Sequence, residues 1–338
     1  MRSLQPKSPV RSAGWARAAF YTGVMLCLLS AGCHRAGVHG SLQKNLNAPS
    51  SPKILAVYEP WFGDPDHINI GYSSQDKVVL KNQIQKAKDL TIAAFVVDWY
   101  GKRKPFLDGA FAALQQVAAG NDFKVILMYD EPADAEGHST EFALTSLEYA
   151  YQSYIGPEAQ FRGSYFTHEG HPVIFVWPRN KTTDWKRIRS YVNTWENPPV
   201  LIMEDGDPRN AEYFDGFYAW VQPGERGWQR DGSNRGLEYL EGFYRRMREQ
   251  HPQKMAVGAA WPGFDDRRAS WGQSRFMDAK CGQTFDDTLR MFRRFYDTKN
   301  PSPFLLVITW NDYEEGTAIE PGIGRCSSSP AKGYVSRE

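Results

Sequence analysis

The chain turns on residues 304–321, Phe304-Leu305-Leu306-Val307-Ile308-Thr309-Trp310-Asn311-Asp312-Tyr313-Glu314-Glu315-Gly316-Thr317-Ala318-Ile319-Glu320-Pro321. The stretch opens as a continuous apolar run, the pattern of a strand buried on both faces, and within a few residues becomes the most acid-dense point of the sequence. An active site at the carboxyl end of a parallel strand has this form. Asp312 and Glu315 can act together only if the strand has already ended, because side chains three apart on a regular strand point to opposite faces. Gly316 supplies the bend. Taken alone, the same stretch also reads as a charged loop that keeps a strand end soluble, so the rest of the chain has to decide.

Working outward, the same grammar recurs: a short apolar run, then aromatic or acidic residues with Gly or Pro, then a helical stretch. The runs fall at 54–58, 93–97, 124–128, 172–176, 200–203, 216–220, 255–259 and 304–308. Residues 76–89 carry apolar Val78, Val79, Ile84 and Ala87 at roughly helical spacing, and 236–250 and 284–296 are similar, with basic residues late in each. Eight such units predict an α/β fold, a (β/α)8 barrel. The final helix is expected to be incomplete, since 322–338 is rich in Gly, Ser and Pro.

The strand ends read Tyr58-Glu59-Pro60-Trp61, Asp98-Trp99-Tyr100-Gly101, Tyr129-Asp130-Glu131-Pro132, Trp177-Pro178-Arg179, Glu204-Asp205-Gly206, Trp220-Val221-Gln222 and Trp261-Pro262-Gly263-Phe264-Asp265-Asp266-Arg267-Arg268. Barrel topology converges them into a bowl of Trp, Tyr and carboxylates, suited to a neutral polyhydroxylated ligand. Aromatics form 14% of the chain, with 11 Trp and 17 Tyr, enough to stack on sugar rings as well as to fill a core. A formal net charge of +1 predicts no nucleic-acid partner. No segment reads G-x-S-x-G, G-x-G-x-x-G, a P-loop or H-E-x-x-H, so no cofactor is expected. The seven His are scattered, and His67 and His138 read as solvated loop residues. No cysteine pair has metal-ligand spacing, so no metal site is expected.

At the N-terminus Arg2, Lys7, Arg11 and Arg17 precede an apolar run at 18–29 that ends in Ser30-Ala31-Gly32-Cys33. A basic start, a short apolar centre and small residues before a break describe an export signal, here residues 1–33, too short to span a bilayer comfortably. Cys33 resembles the acylated cysteine of a bacterial lipoprotein, although Ser30 stands where such signals usually have Leu. Residues 34–53 read as a polar tether and 54–338 as the barrel domain. The expected location is the periplasm or the cell surface, with membrane contact only through the lipid anchor. Cys281 follows the seventh strand and Cys326 the eighth, so their loops lie side by side, and an oxidising compartment favours a disulfide between them. Closing that loop would contribute about 3–4 kcal/mol in the chain-entropy model.

The segment Asn311-Asp312-Tyr313-Glu314-Glu315-Gly316-Thr317, ending in Ile319-Glu320-Pro321, resembles the N-E-W-H-E-G-T-x-I-E-P signature of glycoside hydrolase family 99, the endo-α-mannosidase-like enzymes. Gly71-Tyr72-Ser73-Ser74-Gln75-Asp76 with Phe95-Val96-Val97-Asp98-Trp99-Tyr100-Gly101 is similar to a second family region. Tyr129-Asp130-Glu131-Pro132 is similar to its third-strand element, and residues 262–268 followed by Trp271 to its P-G-Y-x-D-T-R-x-x-x-W segment. The resemblance implies an oligosaccharide or polysaccharide substrate and gives Asp312 the role of general base towards the sugar 2-hydroxyl. It gives Glu315 the role of general acid, a division of labour that glycoside cleavage requires in any case. Tyr58, Trp61, Tyr72, Asp98, Trp99, Glu131, Trp177, Trp220, Asp266, Arg267, Trp310, Asn311 and Glu314 form the expected substrate-binding set.

The chain departs from the family at four places. Asp312 replaces a Glu and is one methylene shorter, and a misplacement of about an ångström can cost ~100-fold in rate. Glu314 replaces a His and adds a negative charge that raises a neighbour's pKa. Asp98 stands for a Ser and Ala133 for a Tyr. Two rival readings follow: a surface glycan-binding lipoprotein without turnover, and a glycosyltransferase-associated protein of the WbsX type, which carries a similar last-strand segment.

Overall fold

The computed structural model describes residues 51–135, 137–205 and 208–321. The expected export signal (residues 1–33), with Cys33, and Cys326 lie outside them.

Eight strands form the barrel: β1 Lys53–Tyr58, β2 Ile92–Trp99, β3 Lys124–Asp130, β4 His171–Trp177, β5 Val200–Glu204, β6 Gly216–Tyr218, β7 Met255–Ala260 and β8 Phe304–Val307. All neighbours pair in parallel, β8 returns to β1, and β3 pairs with β4, so the sheet has no free edge. The apolar runs make this possible. Leu55, Val57, Phe95, Val97, Ile126, Ile174, Phe175 and Leu306 are all fully buried, because one strand face fills the barrel and the other meets helices.

Six α-helices cover the barrel: α1 Lys77–Asp89, α2 Pro105–Ala119, α3 Ser139–Ala150, α4 Trp185–Val192, α5 Leu237–Gln250 and α6 Gln283–Phe295. Asp76 caps α1 by accepting from the Val78 and Val79 N–H groups at 2.8 and 3.4 Å. Leu80, Ile84 and Ala87 form the buried stripe of α1, whereas Val78, expected to belong to it, is 69% exposed. Phe285, Leu289 and Phe292 do the same for α6. Gly258 admits the Phe292 ring, since a Cβ there would sit 2.1 Å from it. The alternation is incomplete between β5 and β6, where a single 3-10 turn, Pro208–Tyr213, replaces a helix. That connection is too short for a full α-helical crossover. No helix among the described residues is long and apolar enough to cross a membrane.

Candidate active site

The loop after β8 is built by its own sequence. The Thr309 N–H donates to Thr317 O at 3.0 Å and the two hydroxyls lie 3.0 Å apart, which closes the segment on itself. Gly316, at φ 73°, makes the turn that a side chain would resist. Inside the loop, Asp312 Oδ1 accepts from the Glu314 and Glu315 N–H groups at 2.9 and 2.7 Å. The Asp312 N–H donates in turn to Thr309 Oγ1 at 2.8 Å. Asn311 ties this loop to the end of β1: its Oδ1 accepts from the Glu59 N–H at 2.7 Å and its amide donates to the Glu59 carbonyl at 2.9 Å. Glu320 anchors the far side, accepting from the Tyr313, Gln83 and Tyr72 side chains at 2.7, 3.1 and 3.2 Å.

Strand parity selects what reaches the barrel mouth. Asp98 pairs in register with Met128, and Asp130, two residues further along β3, shares its inward face. Glu59, one residue beyond β1, joins them, so Glu59, Asp98, Asp130, Asp312 and Glu315 all line one cavity of about 960 Å³. Arg179 grips Asp130 with both Nε and Nη2. Arg275 is held by the fully buried Asp266, which takes its Nε at 2.6 Å, and its Nη2 lies 3.8 Å from Glu315 Oε1. The walls are aromatic. Trp61 stacks on His67 at 4.8 Å, Trp271 meets both rings edge-on, and Trp177 crosses Trp220 at 4.8 Å. Trp271 Nε1 donates to Glu315 Oε1 at 3.2 Å.

Burial dominates the electrostatics. It pushes the Asp312 carboxyl well above the usual range, with the Glu315 and Glu314 charges adding to it and the two backbone N–H groups opposing it. Glu315 is raised as well, against the Trp271 hydrogen bond and the Arg275 charge. Glu59 and Asp98 are driven well up by burial and by neighbouring carboxylates. Asp130 is raised by burial against the pull of Arg179. Burial and mutual repulsion thus raise all five carboxyls together.

Of the expected residues, the fold brings Trp61, Asp98, Trp177, Trp220, Asp312 and Glu315 to the cavity. The others stand behind it. Tyr58 is fully buried with its hydroxyl on Gln83 of α1, and Trp99 donates to Asp108 of α2, because both fall on the helix-facing parity of their strands. Trp310 packs in the core against Phe95. Tyr72 lies behind the loop near Glu320 and Asn311. Glu131 accepts from the Arg179 and Asn180 N–H groups and the Thr183 hydroxyl, and so orders the loop that carries Arg179. Glu314 faces His67, 2.7 Å from its Nδ1, so His67 is a cavity residue tied to a buried acid and not a solvated one. Asp266 orients Arg275, and Arg267 pairs with Asp265 on the surface. The cavity residues outside the expected set include Glu59, Asp130, Tyr100, Arg179, Trp271 and Arg275, besides His67. Parity would have found the first two: Glu59 follows Tyr58 and Asp130 follows Tyr129. Among the described residues no group of three or more acid, His or Cys side chains is placed to hold a metal ion. Cys281 is exposed, and its expected partner, Cys326, lies outside the described residues.

Fold and site define a (β/α)8 barrel with an acid-floored, aromatic-walled cavity at the C-terminal ends of its strands. Among solved structures, the chain is similar to the family 99 endo-alpha-mannosidase of Bacteroides thetaiotaomicron. The TM-score is 0.63 at 16% identity, covering 83% of this chain and 90% of that one. A protein described as glycoside hydrolase-like matches with a TM-score of 0.55 at 12% identity, covering 82% of this chain and 91% of that one. At these identities the likeness is one of fold. No protein-family model and no curated protein matches the sequence.

Proposed function

We propose that the protein is an exported glycoside hydrolase acting on an α-linked glycan, with α-mannan as the first candidate. The observation that carries this reading is the Asp312–Glu315 pair: a buried and a partly buried carboxyl on one tight turn, differently hydrogen-bonded, at the floor of a cavity large enough for sugar rings. A carboxyl pair held in unlike environments is what acid–base cleavage of a glycoside needs. Asp312 is raised by burial, but its two backbone N–H groups favour the ionised form, and it serves as the carboxylate of the working form. It takes the proton of the sugar 2-hydroxyl, whose oxygen, as the family resemblance implies, closes on the anomeric carbon as the bond to the leaving oxygen breaks. Glu315 keeps a proton and gives it to that leaving oxygen; water then opens the epoxide-like intermediate at the anomeric carbon, its proton passing to Glu315 while Asp312 returns its own to the 2-oxygen. Between the two transfers Arg275 faces the Glu315 carboxylate.

The fold shared with the Bacteroides endo-alpha-mannosidase supports the choice of substrate to test first. Export, lipidation at Cys33 and the Cys281–Cys326 bridge belong to the same reading and rest on the sequence. Screening the purified protein against α-mannans and other α-glycans with product analysis tests the proposal. Release of a defined oligosaccharide or sugar is expected, and no cleavage of any α-glycan would overturn it.

A further inference from the structure

Of the seven carboxyls that line the cavity, Glu59 and Asp98 are buried, have no part in the proposed reaction and form no ion pair of their own. Glu59 is 2% exposed and Asp98 8%, both line the cavity, and one oxygen of each, Glu59 Oε2 and Asp98 Oδ1, has no hydrogen-bond partner. Buried carboxyl oxygens are almost always hydrogen-bonded, so such orphans mark a place where something else binds. The cavity's two arginines are already matched, Arg179 by Asp130 and Arg275 by Asp266, and its lysine, Lys104, is exposed. Tyr100 lies between Asp98 and Asp130 and favours their ionised forms, but it brings no positive charge. Glu59, Asp98, Asp312 and Glu315 are thus four carboxyls around one space, offset only in part by Arg275, 3.8 Å from Glu315, and by the Arg179 charge felt at Asp98 and Glu315.

We propose that Glu59 and Asp98 form a subsite for a protonated amine, so that the glycan this cavity accepts carries an unacetylated amino sugar beside the bond handled by Asp312 and Glu315. The proposal rests on the hydrolase reading for the position of that bond, while the amine subsite stands on the orphaned carboxyls. A neutral hydroxyl would satisfy the orphan oxygens but leave the charge excess in place. An ammonium supplies three donors and the missing charge together, and the aromatic walls of Trp61 and Trp177 accept both sugar faces and cations. An acetamido group has no charge to give, and an acidic sugar would add to the repulsion. Asp98 stands where the resembling family has Ser, which marks the subsite as a property of this chain.

The test is calorimetric titration of the full-length protein with three sugars, D-mannosamine, D-mannose and N-acetyl-D-mannosamine, repeated with the gluco and galacto series at about pH 6, where an amine is protonated. The amine is expected to bind about tenfold more tightly than its neutral and acetylated counterparts in at least one series, the margin between charge-assisted and neutral hydrogen bonds. The near-isosteric Glu59→Gln and Asp98→Asn should each shrink that margin between amine and neutral sugar. Equal binding of amine and neutral sugar in all three series, no saturable amine binding, or a margin that survives both substitutions would overturn the subsite. The wild-type comparison decides even where a variant does not fold. Cleavage of α-mannan without amine preference refutes the subsite and leaves the hydrolase reading standing. Amine preference with no glycan cleaved removes the hydrolase reading and leaves the subsite.

Discussion

Replacing Glu315 by Gln isolates the acid function, because the change keeps the shape of the side chain and the acceptor for Trp271 Nε1 at 3.2 Å. What is lost is the transferable proton and a charge 3.8 Å from Arg275. The second loss is small: a partly exposed ion pair at that separation is worth about 0–1 kcal/mol, so the melting temperature should move by only a few degrees. The first is large. Removal of a positioned general acid lowers kcat by about 10²–10⁴, or about 3–5 kcal/mol of barrier. The loss should depend on the leaving group, being greatest for a sugar alcohol and much smaller for an aryl glycoside whose phenolate departs unprotonated. A further consequence concerns pH, since the general acid must be protonated to act. With Glu315 replaced, the alkaline limb of the pH–rate profile, set by loss of its proton, should disappear while the acid limb set by Asp312 remains. Steady-state kinetics on a natural glycan and an activated aryl glycoside across pH measures all three effects. Equal losses on both substrates, or wild-type turnover of the glycan, would refute the acid role of Glu315.

Asp312→Asn should be nearly as damaging as Glu315→Gln, whereas Asp312→Glu should retain or gain turnover on an α-glycan, since the longer side chain restores the family's reach; a glycan-binding protein would show none in either variant, as product analysis reads. Glu204 is pushed up to about 8 by burial and by the Asp205 charge. Its folded pKa lies above the unfolded one, so the folded state holds the extra proton and stability falls as pH rises from the usual carboxylate range through about 8. Glu204→Gln should therefore melt at a higher temperature than wild type at neutral pH and lose that advantage below about pH 4, which thermal scans across pH check. Cys33→Ser should move the protein from the membrane to the soluble fraction, and recovery of the variant with the membranes would count against the lipid anchor. Non-reducing peptide mapping should recover Cys281 linked to Cys326, and two alkylatable thiols in freshly exported protein would rule that bridge out.

The barrel was legible because its information is local. Eight apolar runs, each long enough for one strand and followed by helix or turn residues, admit few arrangements once parallel strands must be covered on both faces. The turn holding Asp312 and Glu315 was legible for the same reason, since Gly316 and the Thr309–Thr317 spacing close it within nine residues. The composition of the cavity was not. A strand end of the form Tyr-Glu or Tyr-Asp offers two neighbours, and only the barrel's parity decides which enters the cavity and which meets a helix. Tyr58, Trp99 and Trp310 went behind the wall, while Glu59 and Asp130 came through it. The pairings that set the charge balance, Arg179 with Asp130 and Arg275 with Asp266, join residues on different strands or across a folded loop. Spacing along the chain carries no record of such contacts, because they come into being only when the strands close into a ring.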